Sequence, residues 1–100
     1  QLLSQDEKPD AVFAVSDSLA AGALRAIDQA GLRVPEDIAV IGFDGTELAE
    51  VVSPQLTTVE QPSRAIGRTA VDLLMKRIDD PDAAVERVMM DWRVIARASA

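Results

Sequence analysis

The sequence predicts an α/β fold, a three-layer sandwich on a mostly parallel sheet, from three observations. Two short apolar runs, AVFAV at residues 11–15 and IAVIGF at 38–43, lack polar alternation and suit strands covered on both faces. Stretches with apolar residues at helical spacing separate such runs. The elements then alternate strand, helix, strand, helix, strand, helix, strand, which is the order of a parallel sheet with right-handed crossovers.

The first strand follows Pro9-Asp10 and ends at Val15. Ser16-Asp17-Ser18 supplies helix-start chemistry, with Asp17 or Ser18 favoured as the cap and Ser16 as loop. Leu19, Ala20, Ala23, Leu24 and Ile27 carry the helix, and Gly31 stops it. Gly22 lies mid-helix, where glycine is about 1 kcal/mol less favourable than Ala; it marks either a close backbone approach or a tolerated defect. Val34-Pro35-Glu36-Asp37 makes a turn into the second strand, which ends abruptly in Asp44-Gly45-Thr46. A short helix or turn runs to about Val52, and Leu56 to Val59 (LTTV) forms a third strand. Gln61-Pro62-Ser63 opens the longest helix, whose predicted buried stripe is Ile66, Ala70, Leu73, Leu74 and Ile78. Asp79-Asp80-Pro81-Asp82 breaks it as a solvated turn, and Val88 to Ile95 reads as a closing strand with Val88, Met90, Trp92 and Val94 on one face. Phe13 and Phe43 are expected in the core, and Trp92 is expected to cover a sheet face.

Composition excludes several functions. The 100 residues include 10 Lys and Arg against 17 Asp and Glu, a net charge of −7. Such an acidic chain is a poor binder of nucleic acid phosphates or anionic membranes. With no His and no Cys there is no imidazole base, thiolate, Cys/His zinc site or disulfide. The absence of cysteine fits a cytoplasmic protein. No apolar run approaches the roughly 20 residues of a membrane span. The first residues carry no secretion signal, and a start without Met reads as a piece of something longer. Neither GxGxxG nor a Walker motif occurs, and no cofactor or metal is expected.

In open α/β sheets ligands bind beyond the carboxyl ends of the strands. Ser16-Asp17, Asp44 and Glu60-Gln61 stand there, and carboxylates with an amide converging on one crevice can hold hydroxyls or N–H groups of a small polar molecule. Each also has a structural reading: Asp17 as cap, Asp44-Gly45 as a turn pair, Gln61 as the cap of the long helix.

Four strings go further. PDAVFAVSD (residues 9–17), GLRVPEDIAVIGFDG (31–45), SPQLTTVEQP (53–62) and the terminal RAS (97–99) stand in this order and cover nearly the whole chain. Together they closely resemble the C-terminal part of the lac repressor/galactose repressor family of bacterial transcription regulators. That resemblance implies a partial domain over residues 1–100, part of the C-terminal lobe of a periplasmic-binding-protein-like effector domain. The helix-turn-helix, hinge helix and N-terminal lobe would lie outside the chain, so operator DNA would be met only through that absent head. It implies an effector, a sugar or nucleoside-like molecule, held by Asp44, Ser16, Gln61 and Asp17. Ser16 departs from the usual Asn and offers a hydroxyl in place of an amide. It also implies a homodimer through the helix 19–30 and the segment 47–52, with Leu19, Ala20, Ala21, Gly22 and Val52 at the contact. The alternatives are a periplasmic sugar-binding component of a transport system and an enzyme with Asp44 as nucleophile. The second lacks a lysine at a strand end, since only Lys8 and Lys76 occur, so the chain is read as a non-enzyme.

Overall fold

A computed structural model describes residues 2–100. A short 3-10 turn at Leu2–Ser4 precedes β1 (Ala11–Phe13), α1 (Asp17–Gln29), β2 (Ala39–Asp44), α2 (Leu48–Val51), β3 (Thr57–Glu60), α3 (Ser63–Asp79) and β4 (Arg93–Ile95). The strands form one sheet in the order β1-β2-β3-β4. β1, β2 and β3 are parallel, and β4 closes the sheet antiparallel to β3. The α/β class and the mostly parallel sheet are therefore as predicted. The chain divides into two compact units, one formed by residues up to Glu60 with Arg93–Ala100, the other by Gln61–Trp92.

In the larger unit, Ala20, Leu24 and Ile27 recur one helical turn apart and form the inner stripe of α1. They meet Ile38 and Val40 of the second-strand segment, Ala49 of α2 and Leu56 in one apolar core. The start of α1 differs from expectation. Ser16 has extended backbone and is the cap, its Oγ accepting from the Leu19 N–H at 3.2 Å, whereas Asp17 is already helical. The helix ends as the glycine predicted. Gly31 sits at φ +71°, its N–H donating to Asp28 O and the Leu32 N–H to Ile27 O, the paired bonds of a Schellman motif. Asp37 then fixes the following turn, accepting from the Arg33 N–H at 2.7 Å, Nε at 3.0 Å and a terminal guanidinium nitrogen at 2.9 Å. That grip lowers the Asp37 carboxyl from an ordinary 3.8 to about 2.

The last residues close the opposite end of the sheet. Pairing of β2 with β3 begins at Ile41↔Thr57, and Ser99 fills the position before it. Its Oγ donates to Val40 O at 2.6 Å and accepts from the Thr57 N–H at 2.8 Å, while its carbonyl accepts from the Val40 N–H at 2.8 Å. Arg97 donates to Leu56 O at 2.9 Å and to a carboxylate oxygen of Glu50 at 3.2 Å, which seats the terminal segment.

Several core assignments are corrected. Phe13 is 63% exposed and meets Phe43 edge to face, with centroids 6.4 Å apart. It lies on β1, an edge strand of the sheet. The predicted closing strand shrinks to Arg93–Ile95, because β3 ends at Glu60 and Pro62 follows, leaving residues 88–92 no ladder partner. Trp92 is consequently 67% exposed and covers no sheet face. α3 forms as expected but buries none of its residues, and Ile66, Leu74 and Ile78 stand in the open. Within its unit, α3 meets only irregular chain, with Arg77 donating to Ala83 O and Lys76 pairing with Glu86.

Ser99→Ala leaves the buried Thr57 N–H and Val40 O each short of a partner. It should lower stability by about 1–3 kcal/mol, read as a shifted urea midpoint at constant slope; an unshifted midpoint would show that the pin contributes nothing. For Asp37, the depressed folded value means its contribution is complete above the ordinary 3.8 and fades as pH falls toward about 2. The gap in urea midpoint between the native protein and Asp37→Asn should thus be constant near neutrality and close on acidification, whereas a pH-independent gap would contradict the linkage.

Candidate functional site

The carboxyl ends of β1, β2 and β3 lie at the same end of the sheet because the three strands are parallel. Asp17, the first residue of α1, organises that end from inside. It is 1% exposed. Its Oδ2 accepts from the Thr46 N–H at 2.7 Å and from Thr46 Oγ1 at 2.9 Å, and its Oδ1 accepts from Thr58 Oγ1 at 2.5 Å. One side chain therefore joins the start of α1, the loop after β2 and the middle of β3. The helix N-terminus favours an acidic group there.

Gly42 makes the space. A Cβ at this position would overlap Asp17 Oδ1 and come 2.7 Å from Leu56 Cδ2, so the carboxyl group occupies the room that a side chain on β2 would take. Two residues later the backbone turns sharply. Asp44 has φ +113° and Gly45 φ +70°. The first is a left-handed conformation uncommon for a residue with a side chain and costs about 1–3 kcal/mol. The two bonds from Thr46 to Asp17, each worth about 1.5–3 kcal/mol to a charged partner, are large enough to hold it. Gly45 has no alternative, since a Cβ would stand 2.7 Å from the Cα, Cβ and Cγ of Glu60.

Asp44, half-buried, faces Glu60 as the last register pair of β2 and β3, and Glu60 faces Arg93 across the antiparallel ladder. Arg93 Nε donates to Glu60 Oε2 at 2.5 Å. The guanidinium holds the Glu60 carboxyl below its usual range, and the carboxylate in turn raises Arg93. An acidic, an acidic and a basic residue thus stand side by side at the ends of three adjacent strands.

The predicted residues fall into different settings. Ser16 is half-buried and caps α1, its hydroxyl proton still able to donate. Asp17 turns inward against Thr46 and Thr58. Asp44 stands on the strained turn two residues from Thr46. Gln61 is the first residue of the smaller unit, half-buried, its carbonyl accepting from the Ser63 N–H at 2.8 Å. Of the residues expected at a dimer contact, Ala20 is fully buried in the core, because it shares the helical stripe with Leu24 and Ile27. Val52 is half-buried and packs against the same core. Leu19 is exposed, Ala21 half-buried, and an added Cβ on Gly22 would meet nothing within 4 Å, so among the described residues no other segment approaches that glycine.

Sequence reasoning placed Glu60 at a strand end but passed over Thr46, Thr58, Gly42 and Arg93 as site-building residues. The one available signal was Gly42, a glycine inside an otherwise apolar strand, which marks a close approach.

The whole chain, residues 1–100, matches the model of the periplasmic binding protein-like domain. It is 41% identical over 99 residues to the HTH-type transcriptional repressor PurR of Vibrio atlanticus, covering 99% of this chain and 30% of that protein. It is 44% identical over 100 residues to the ribose operon repressor of Escherichia coli, covering all of this chain and again 30% of the relative. The crystal structure of a LacI family transcriptional regulator from Lactobacillus casei with bound sucrose superimposes with a TM-score of 0.81 at 34% identity, over all of this chain and 37% of that one. Among the described residues no helix is long and apolar enough to cross a membrane. The chain belongs to the periplasmic binding protein-like domain family, and the relatives that share its sequence and fold are regulators of the LacI type.

Proposed function

We propose that the chain is the effector-sensing and dimerising portion of a bacterial DNA-binding transcriptional repressor acting in the cytoplasm. The named relatives are repressors, which favours this reading over a transport component and over an enzyme. The observation that carries it is the strained Asp44, held at a strand end by Gly45 and by the Thr46–Asp17 bonds. Strain kept at a strand end by surrounding bonds is a mark of a functional position.

In this reading Asp44 accepts hydroxyl or N–H groups of a small polar effector, a sugar or nucleoside-like molecule. Ser16 donates its free hydroxyl proton, and Gln61 offers its amide where the chain passes from the larger unit into the smaller. Asp17 acts from behind, by fixing Thr46 and so the turn that presents Asp44. A homodimer forms through the outer face of α1, with Leu19, Ala21 and Gly22, joined by the exposed Val51 of α2. Effector binding shifts the population between lobe arrangements, and a coupling of about 1–3 kcal/mol is the ordinary size for such control of operator affinity.

In the full-length regulator, Asp44→Ala should weaken binding of the recognised ligand in a panel including D-ribose and sucrose by tenfold or more and abolish ligand-dependent release from operator DNA. Unchanged release would remove Asp44 from the site. Asp17→Asn places an amide N–H against a donor and should lower stability by about 1–3 kcal/mol, measured by urea denaturation. The same variant should also weaken ligand binding in calorimetry although Asp17 touches no ligand; full affinity in a destabilised protein would separate the fold from the site.

A further inference from the structure

The Glu60–Arg93 pair stands where three independent features of the larger unit meet. It is the last rung of the β3–β4 ladder. It lies on the last residue before the chain leaves this unit and the first residue after it returns. Glu60 is also the register partner of Asp44, and its Cα, Cβ and Cγ lie directly against Gly45. Glu60 thus fills the space a side chain at position 45 would need, immediately beyond the strained Asp44. A charged side chain at the end of an edge ladder has no intrinsic reason to hold one position. The ladders to β2 and β4 hold the Glu60 backbone, and Arg93 Nε, which binds Oε2 at 2.5 Å across the rung, holds its carboxylate.

We propose that Arg93 is a positioning residue for the Asp44 site, acting through Glu60, which it holds under the Gly45 turn at the point where the chain enters and leaves the larger unit. The inference rests on the reading of Asp44 as the effector contact, but its geometric part stands without any ligand. The pair is partly open to solvent, Arg93 at 70% and Glu60 at 38% side-chain exposure, so breaking it changes local equilibria only modestly.

The test uses the full-length regulator and three variants: Arg93→Met, Glu60→Gln and the exchanged double variant E60R/R93E. Glu60→Gln and the exchange keep Cβ and Cγ, so the packing on Gly45 survives and the ion pair alone is altered. Amide hydrogen exchange is followed in the peptide spanning residues 43–47, with peptides from α1 as the internal reference. Both single variants should speed exchange in 43–47 by about threefold and leave α1 unchanged, and the exchanged pair should restore the native rate. Unchanged exchange in 43–47, an equal rise in α1, or failure of the exchanged pair to restore protection would each overturn the proposal. Because this readout needs no effector, loosening by Arg93→Met alongside an Asp44→Ala variant with normal operator release would sink the effector reading and leave the positioning role standing.

Discussion

A carboxyl group with no access to solvent is tolerable only if its oxygens are satisfied by the fold. Asp17 meets that demand with donors from two other segments, the Thr46 amide and hydroxyl on one oxygen and the Thr58 hydroxyl on the other. The consequences spread outward from it. α1 must begin at a fixed height over β2, and Gly42 must lack a side chain. The loop after β2 must turn back far enough to bring Thr46 to the carboxyl group. The turn that carries Asp44 and Gly45 in left-handed conformations is what that return requires. Removing one partner would leave a buried polar group exposed to nothing, so the network is lost or kept as a whole.

The two ends of the parallel sheet are fastened by the same kind of chemistry. At the carboxyl end Asp17 draws together α1, β3 and the loop; at the amino end Ser99 inserts its hydroxyl and carbonyl between the starts of β2 and β3. Between them lies a small apolar core of Ala20, Leu24, Ile27, Ile38, Val40, Ala49 and Leu56. A core of seven side chains, two of them alanine, leaves much of the alignment to these polar contacts. Apolar burial is non-directional and does not choose a register, whereas the hydroxyl of Ser99 fits only one.

What the sequence revealed follows from what periodicity can report. The continuous apolar runs located β1 and β2, the spacing of Ala20, Leu24 and Ile27 located α1, and Gly31 located its end. Periodicity cannot say whether an apolar stripe finds a cover. Ile66, Leu74 and Ile78 have the right spacing on α3 and stand exposed, and Val88 and Trp92 alternate as a strand would without a partner to pair with. The site was half legible for a similar reason. Asp44 and Asp17 could be placed at strand ends by order alone, but the inward turn of Asp17 depends on Thr46 and Thr58, at sequence separations of 29 and 41 residues from it. Ser16 and Asp17 exchanged roles for the same cause: the buried acceptor was the stronger claim on Asp17, and the cap fell to its neighbour.

The acidity of the chain takes on a local meaning at the strand ends. Asp17, Asp44 and Glu60 gather there, and like charges so close would repel unless each had a separate outlet. Asp17 has hydroxyl and amide donors, Glu60 has Arg93, and Asp44 stands on the kink at φ +113° beside Glu60. The kink brings Thr46 home to Asp17, so the turn that satisfies the buried carboxyl group also fixes the backbone of Asp44 at the strand end.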